Sequence, residues 1–322
     1  MTKSSGRLLA LLTSLLLLLA ACTGSNESEA QSEPSEPVLD SEPAASEIER
    51  GTVVVGSTTF AEQEIIAEMY ALVLEEAGYT VDRRLDLGAR EVVYPKLESG
   101  EVDLIADYLN TLLLHVTAGA TEAAGDTETA AQTLEARLPD QLTLLEPSAA
   151  EDRNALAVTR ETAEKFDLEA VSDLKDVASG FVLGGPPECS QRPLCAPGYK
   201  DVYGLEFQEF APLDAGGQLT TDALNSGEID VGLVFSTQSA IATNDWVVLE
   251  DDKQLQAADN VTPIVRTDVL NDEIRQLLDE VSAALTTDKL IELNERVDAG
   301  GEKPGQAARS FLEGEGLLAG DG

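Results

Sequence analysis

The chain contains two stretches of similar sequence. Leu97–Thr111 is LESGEVDLIADYLNT and Leu224–Gln238 is LNSGEIDVGLVFSTQ. Each has the end of an amphipathic helix, a Ser-Gly-Glu turn, an apolar strand and an aromatic residue, with Tyr108 aligned to Phe235. Buried parallel strands have such continuous apolar runs, and open α/β sheets bind ligands beyond the carboxyl ends of their strands. The likeness predicts two similar lobes that face each other across a cleft. The alternative is a chance likeness between two segments of similar composition.

The first residues have the features of a lipoprotein export signal. Lys3 and Arg7 precede the apolar run Leu8–Leu19, and small residues then lead to Cys22. The run is shorter than the roughly 20 apolar residues that a membrane-spanning helix needs. We predict a cleaved signal peptide over residues 1–21 and a lipid on Cys22 that anchors the protein to the outer face of a bacterial membrane. The alternative is an ordinary signal peptide with a cysteine there by chance.

Composition separates a tether from the folded part and excludes one class of partner. Residues 22–50 are rich in Ser, Glu, Pro and Ala, which predicts a disordered acidic tether. The chain has 60 acidic and 21 basic residues, a formal charge of −39. Nucleic-acid binding is therefore excluded, because it depends on phosphate neutralisation by Lys and Arg. The acidity fits either a salty habitat or the composition of the lineage.

The rest of the chain is long enough for one large domain or two lobes, and its alternating strand-like and helix-like segments predict an α/β fold. Besides Cys22 there are two cysteines, Cys189 and Cys195, in one Pro-rich loop. On the oxidising side of a membrane this spacing favours a disulfide, with two free thiols as the alternative. A single histidine argues against a zinc site, and no metal or cofactor is predicted.

The turn after the first strand is a candidate anion site. The strand Thr52–Gly56 runs through Ser57 and Thr58 into Thr59-Phe60-Ala61-Glu62, which has the pattern of a capping box that opens a helix. Free N–H groups at a helix N-terminus favour an anion, so the hydroxyls are candidate carboxylate contacts. Alternatively, they only cap the helix.

Two further side chains have the chemistry of a zwitterion site. Tyr108 follows the apolar strand Val102–Ala106 and precedes polar residues, which favours exposure in the cleft over core packing. Arg192 lies in the cysteine loop and is suited to bidentate recognition of a carboxylate. A structural ion pair with Glu188 is the alternative, and both roles are compatible.

Several segments together resemble the glycine betaine/choline/carnitine-binding proteins of osmoprotectant ABC importers. They are GSTTFAEQEIIAEMYALVLEEAGY, LESGEVDLIADYLNT, GPPECSQRPLC, LNSGEIDVGLVFST and VVLEDDKQLQAADNVTPIVR. The resemblance spans about residues 52–318. It implies a type II periplasmic-binding-protein fold, in which two α/β lobes are joined by two crossover strands with an interlobe cleft. Lobe I would comprise residues 51–155 and 262–322, and lobe II residues 156–261, with hinge motion expected in Asn154–Thr159 and Val261–Arg266.

The resemblance also implies roles for individual residues. The first strand–helix turn and the Glu-x-x-x-Arg element would hold a ligand carboxylate, and the two aligned aromatics would hold a quaternary ammonium by cation–π attraction. The resulting ligand-binding prediction consists of Ser57, Thr58, Thr59, Tyr108, Thr111, Asn154, Glu188, Arg192, Phe235, Ser236 and Asp259. Asp259 stands where family members often have a tyrosine. It either adds a charge that faces a cationic or N–H-bearing ligand head, or caps a local turn.

The resemblance implies an extracytoplasmic solute-binding lipoprotein that captures a small zwitterionic ligand by cleft closure and delivers it to an ABC permease and its ATPase. An amine-bearing or amino-acid-like ligand, or a ligand-sensing surface lipoprotein, are the alternatives. An enzyme is disfavoured, because one histidine, no phosphate loop and two cysteines that are expected to form a disulfide leave little for catalysis.

Overall fold

A computed structural model describes residues 50–119, 125–257 and 259–319, which form two five-stranded sheets with helices packed around them. The predicted signal peptide, the lipid site Cys22 and the tether up to residue 49 lie outside the described residues. In the ranges that the structure covers, no helix is long and apolar enough to span a lipid bilayer.

Strands and helices alternate along most of the chain, as predicted. The strands are β1 (Thr52–Gly56), β2 (Thr80–Arg84), β3 (Leu104–Tyr108), β4 (Leu142–Leu144), β5 (Asn154–Thr159), β6 (Val182–Gly185), β7 (Glu209–Pro212), β8 (Val231–Phe235), β9 (Trp246–Val248) and β10 (Val261–Arg266). The helices are α1 (Ala61–Glu76), α2 (Arg90–Ser99), α3 (Leu109–Val116), α4 (Thr127–Glu135), α5 (Arg160–Phe166), α6 (Ala196–Gly198), α7 (Gln218–Ser226), α8 (Ala240–Thr243), α9 (Asp272–Ala284), α10 (Thr287–Asp298) and α11 (Pro304–Gly314). Short 3-10 turns cover Val171–Asp176, Ala178–Gly180 and Pro187–Ser190, and a π turn covers Tyr199–Tyr203.

The two sheets have the same topology. The first has the order β2-β1-β3-β10-β4 and the second β7-β6-β8-β5-β9. In each sheet the first three strands in this order are parallel. The fourth strand, which the chain enters from the other sheet, pairs antiparallel with the third: β10 with β3, and β5 with β8. We call the first sheet with its helices lobe I and the second lobe II. The predicted two-lobed α/β fold is confirmed.

The sequence repeat corresponds to one unit in each lobe. Gly100 ends α2 and Gly227 ends α7, both in the left-handed region (φ 81° and 74°) that a residue with a Cβ rarely adopts. Asp103 then accepts a hydrogen bond from the backbone N–H of Val54, and Asp230 accepts one from that of Val182. Each aspartate thus ties the start of its strand to the neighbouring strand. The repeat therefore forms the same helix–strand unit in each lobe. The aromatic residues at the ends of the two strands face the same space.

The sheet of lobe I is buried on both faces. Successive strand side chains point to opposite sides, so Val53 and Val55 pack with α1, α9, α10 and α11, whereas Val54 packs with α2, α3 and α4. Lobe II has two corresponding cores, one around Leu233 and the cysteine loop and one around Trp246. Both sheets are therefore rigid supports for the residues at their ends.

The chain crosses between the lobes twice, just before β5 and just before β10. The two crossing segments run antiparallel, with a bridge between Glu151 and Asn260 and a hydrogen bond from the backbone N–H of Asp152 to the carbonyl of Asp259 (3.1 Å). The predicted hinge segments are β5 and β10, each paired on both sides within its sheet, and the position of the hinge stays a prediction. Paired strands resist bending, so the crossing segments before them connect the lobes.

Candidate functional site

A cavity of about 460 Å³ lies between the lobes, where the repeated strands end. A volume of this size is typical of a small-molecule site. Lobe I contributes Thr58, Thr59, Phe60, Gln63, Arg90, Glu91, Tyr108, Thr111 and His115, the crossing segments contribute Asp152 and Asp259, and lobe II contributes Asn154, Glu188, Gln191, Arg192 and Phe235.

Three aromatic residues line this cavity, and we call them its aromatic wall. Tyr108 ends β3 and Phe235 ends β8, as the repeat predicts. Phe60 from lobe I lies against Phe235 from lobe II, with ring centroids 4.6 Å apart and planes inclined by 37°. Aromatic faces attract a cation, most strongly where water is excluded. The wall is therefore chemically suited to a quaternary ammonium group.

The predicted capping box at the start of α1 is wrong. The Thr58 hydroxyl accepts a hydrogen bond from the backbone N–H of Phe60 (3.4 Å) and donates one to the Gln63 side chain (3.0 Å). Glu62, the expected capping partner, is instead fully buried and accepts a hydrogen bond from the Tyr108 hydroxyl (2.5 Å). The capping pattern involves only residues that are close in sequence. In the fold, the Glu62 carboxylate instead accepts hydrogen bonds from buried donors far away in the chain.

Arg192 joins the two lobes at the cavity. Its Nε and Nη2 contact the two carboxylate oxygens of Glu91 on α2 at 3.1 and 2.9 Å, and Nη2 lies 3.6 Å from Glu188. The third nitrogen, Nη1, takes part in neither contact. Partial burial alone would raise the pKa of Glu91, but Arg192 lowers it to about 2, so the pair stays charged at neutral pH. The sequence-based alternative of a pair with Glu188 is thus the weaker of two observed contacts.

The loop that carries Arg192 is held at several points. A disulfide joins Cys189 and Cys195, whose Cα atoms are 5.2 Å apart. The Asn154 side chain, at the start of β5, donates a hydrogen bond to the carbonyl of Leu194 (3.1 Å). These links restrict the loop, which reduces the entropy lost when Arg192 binds a partner.

A buried ion pair supports the lobe I wall. Arg90 contacts both carboxylate oxygens of Asp107, with Nε at 2.9 Å from each, and its Nη2 donates to the Thr111 hydroxyl (2.7 Å). Burial alone would lower the pKa of Arg90, but the facing carboxylate of Asp107 raises it, so the guanidinium stays charged. Asp107 also accepts from the backbone N–H of Tyr108 (2.7 Å). The pair therefore fixes Tyr108 and Thr111 relative to each other.

Asp259 caps helix α3, although it lies 149 residues after Asn110 in the chain. Its carboxylate accepts hydrogen bonds from the backbone N–H groups of Asn110 (2.7 Å) and Thr111 (3.2 Å), in the first turn of α3. Burial raises the pKa of Asp259 to about 7, although Arg90 and the two N–H groups act to lower it. The predicted local-turn cap is wrong, because the capped turn belongs to a different segment. Asp259 also lines the cavity, so its contact with a ligand stays a prediction.

Replacing Asp259 with alanine should lower the free energy of unfolding by about 1–2 kcal/mol, the usual cost of losing a helix cap. Asp259→Asn keeps an acceptor oxygen and should cost less. Because the folded-state pKa is raised, the stability that Asp259 provides is complete below its ordinary pKa of about 4 and is lost as the pH rises through about 7. Urea unfolding at pH 5 and pH 8 measures both effects. Equal losses for the two variants would contradict the capping role.

The eleven predicted ligand contacts divide into two groups. Nine of the eleven line the cavity, namely Thr58, Thr59, Tyr108, Thr111, Asn154, Glu188, Arg192, Phe235 and Asp259. Ser57 and Ser236 do not. Ser57 is buried, donates to the carbonyl of Thr58 and accepts from the backbone N–H of Asp86, and Ser236 donates to Asp152. Both hydroxyls have partners inside the protein, and a ligand contact by either residue stays a prediction.

Sequence reasoning missed several lining residues. Phe60 directly follows the predicted Ser-Thr-Thr turn, so its position was a usable signal. The sequence around Glu91 and Asp152 gives no sign that they line the cavity, because their contacts are with residues far away in the chain. His115, the single histidine of the chain, lines the cavity and makes an edge contact with Tyr94, with ring centroids 5.1 Å apart. Burial lowers the pKa of His115.

Two lobes of matching topology around a ligand-sized cavity define a solute-binding protein. Residues 51–314 match the family described as the substrate binding domain of ABC-type glycine betaine transport systems. The chain belongs to this family.

Individual relatives agree with this membership. The chain is 30% identical over 283 residues to the glycine-betaine-binding protein of Pseudomonas aeruginosa, which covers 83% of this chain and 89% of that protein. It is 24% identical over 273 residues to the carnitine transport binding protein OpuCC of Listeria monocytogenes, with 82% and 87% covered. A crystal structure described as a glycine betaine/carnitine/choline ABC transporter has a TM-score of 0.65 at 26% identity, covering 82% of this chain and 99% of that one.

Proposed function

We propose that this chain captures a small quaternary-ammonium zwitterion of the glycine betaine class and presents it to an ABC permease that is driven by a separate ATPase. The cavity carries the proposal, because it brings the rings of Tyr108 and Phe235 from opposite lobes together with the guanidinium of Arg192. The rings suit the cation and the Arg192 guanidinium suits the carboxylate, while Thr58 and Thr111 line the same cavity.

Closure of the lobes is the proposed binding step. A ligand that contacts both lobes binds the closed form better and shifts the population towards it. For this motion we propose one body of about residues 51–155 and 262–322 and a second of about residues 156–261, with the boundaries at the start of β5 and the start of β10. No chemical step on the ligand is proposed, and the protein acts as a binding component and not as an enzyme.

The proposal includes an extracytoplasmic location. A lipid on Cys22, after removal of residues 1–21, would tether the protein to the cell membrane and keep it near its permease. Labelling cells with a radioactive lipid precursor tests this, since Cys22→Ser should abolish incorporation into the protein.

An amine-bearing zwitterion is the second candidate ligand class, and Asp152 and Asp259 favour it. Both are acidic, buried and part of the cavity lining, so each offers an acceptor to an N–H donor that a quaternary ammonium lacks. A ligand-sensing role without a permease is distinguished by the neighbouring genes.

A thermal-shift screen should show stabilisation by at least one of glycine betaine, proline betaine, choline, carnitine and ectoine. Ligand at one hundred times its dissociation constant stabilises the folded state by about 2.7 kcal/mol. Amino acids test the amine-bearing class, and tetramethylammonium and acetate test the two halves of a zwitterion separately. If no compound in the panel raised the melting temperature, the proposed ligand class would be wrong.

A further inference from the structure

Glu62 has a buried carboxylate whose contacts come from both lobes. Its Oε1 accepts a hydrogen bond from the Tyr108 hydroxyl, and its Oε2 accepts from the Thr237 hydroxyl, each at 2.5 Å. The Asn294 side chain on α10 donates to the same Oε2 (2.7 Å) and to the carbonyl of Thr237 (3.2 Å). Tyr108 and Asn294 belong to lobe I, whereas Thr237 follows β8 in lobe II. Glu62 is therefore a junction between the lobes next to the cavity wall.

Burying the Glu62 carboxyl costs free energy, and only its hydrogen bonds offset that cost. Glu62 and Thr237 are fully buried, and a buried carboxylate loses its hydration. The titratable groups that act on Glu62 are the Tyr108 phenol and the carboxyls of Asp152 and Asp298, so no positive charge among them compensates it. Burial raises the pKa of Glu62, while the three side-chain hydrogen bonds lower it. The stability of the carboxylate in this place thus depends on its three donors.

Separation of the lobes would remove one of these donors. Thr237 moves with lobe II, while Tyr108 and Asn294 remain with Glu62 in lobe I. Closure therefore returns a hydrogen bond to the buried Glu62 carboxyl, and a buried polar group left without a partner is costly. The other end of the same carboxylate holds the hydroxyl of Tyr108, which fixes the direction of a ring that lines the cavity.

We propose that Glu62 is a positioning residue for ligand capture, whose carboxylate holds the Tyr108 ring in lobe I and the Thr237 hydroxyl of lobe II at once and so couples ring orientation to closure. This inference rests on the proposed function, because the ring matters only if the cavity binds a cation. Glu62 acts through its neighbours and does not line the cavity.

A double-mutant cycle tests the coupling. Tyr108→Phe removes only the hydroxyl and keeps the ring, and Thr237→Val removes only the interlobe donor at similar volume. Each should weaken binding of glycine betaine or choline, measured by calorimetry, by about tenfold or more. Tyr108 and Thr237 are joined through Glu62, so their effects should be non-additive, and the coupling should disappear in a Glu62→Gln background. Glu64→Gln, two residues further along α1, is the matched control and should leave affinity unchanged.

A second measurement needs no ligand. Small-angle X-ray scattering of the ligand-free full chain should show a larger radius of gyration for Thr237→Val than for wild type, with Glu64→Gln unchanged. If wild type bound no quaternary ammonium compound, the proposed function would fail, and the scattering comparison would still test the junction. Additive effects in the cycle, or a Thr237→Val variant with unchanged affinity and radius of gyration, would overturn the assignment to Glu62.

Discussion

Replacing Arg90 with methionine is expected to lower the free energy of unfolding by about 3–5 kcal/mol, because it breaks one half of a buried ion pair. The Arg90 and Asp107 side chains are 8% and 3% exposed, so water cannot replace the lost partner. The variant also leaves the Thr111 hydroxyl without the guanidinium that contacts it. Urea unfolding at pH 7, followed by circular dichroism with a fixed m-value, measures the loss.

Two variants make the Arg90 experiment specific. Arg84→Met breaks an exposed pair with Asp82, also in lobe I, and should cost no more than about 1 kcal/mol. Combining Arg90→Met with Asp107→Asn removes the uncompensated charge and keeps an acceptor for the N–H of Tyr108, so part of the stability should return. A loss below that of Arg84→Met would show that the pair is not buried in solution.

The predictable parts of the fold depend on short segments. The repeated unit was visible because Gly100 and Gly227 end helices in a conformation that favours glycine, and because an apolar strand follows each of them. The positions of Tyr108 and Phe235 follow from the same pattern, since both end strands that face one space. Local rules thus located the two lobes and their facing aromatics.

The parts that were mispredicted depend on partners far apart in the chain. Glu62 fits a capping pattern but accepts from Thr237, 175 residues away, because a buried carboxylate requires all the donors it can reach. Asp259 caps a turn 149 residues away at Asn110. No spacing rule contains such pairs, so only the folded arrangement shows them.

Arg192 shows that the sequence can single out a side chain without revealing all of its contacts. Its chemistry identified it as a carboxylate clamp, and the structure places it at the cavity. The Glu91 contact was not predictable, because the two residues are 101 positions apart and lie in different lobes. The same guanidinium is thus both a candidate ligand contact and an observed link between the lobes.

Arg192→Ala is expected to weaken binding of glycine betaine by about 2–5 kcal/mol, the range for truncating one partner of a hydrogen-bonded charge pair. Choline has no carboxylate, so it should lose less affinity, and the difference between the two ligands isolates the clamp from the interlobe link. Calorimetry with both ligands on one protein preparation measures this. Arg160→Ala is the matched control, because Arg160 makes a similar two-oxygen contact with Asp245 in lobe II and does not line the cavity.

Glu91→Gln separates the two roles of Arg192. The Glu91 and Arg192 side chains are 44% and 28% exposed, so breaking their link should cost about 0.2–1 kcal/mol of closure. This loss should be equal for glycine betaine and choline, because the link does not involve the ligand. The lowered pKa of Glu91 means that the link is complete above its ordinary pKa and is lost only as the pH falls towards about 2. If Glu91→Gln strengthened glycine betaine binding alone, Glu91 would be a competitor for the guanidinium, and the interlobe link would not assist capture.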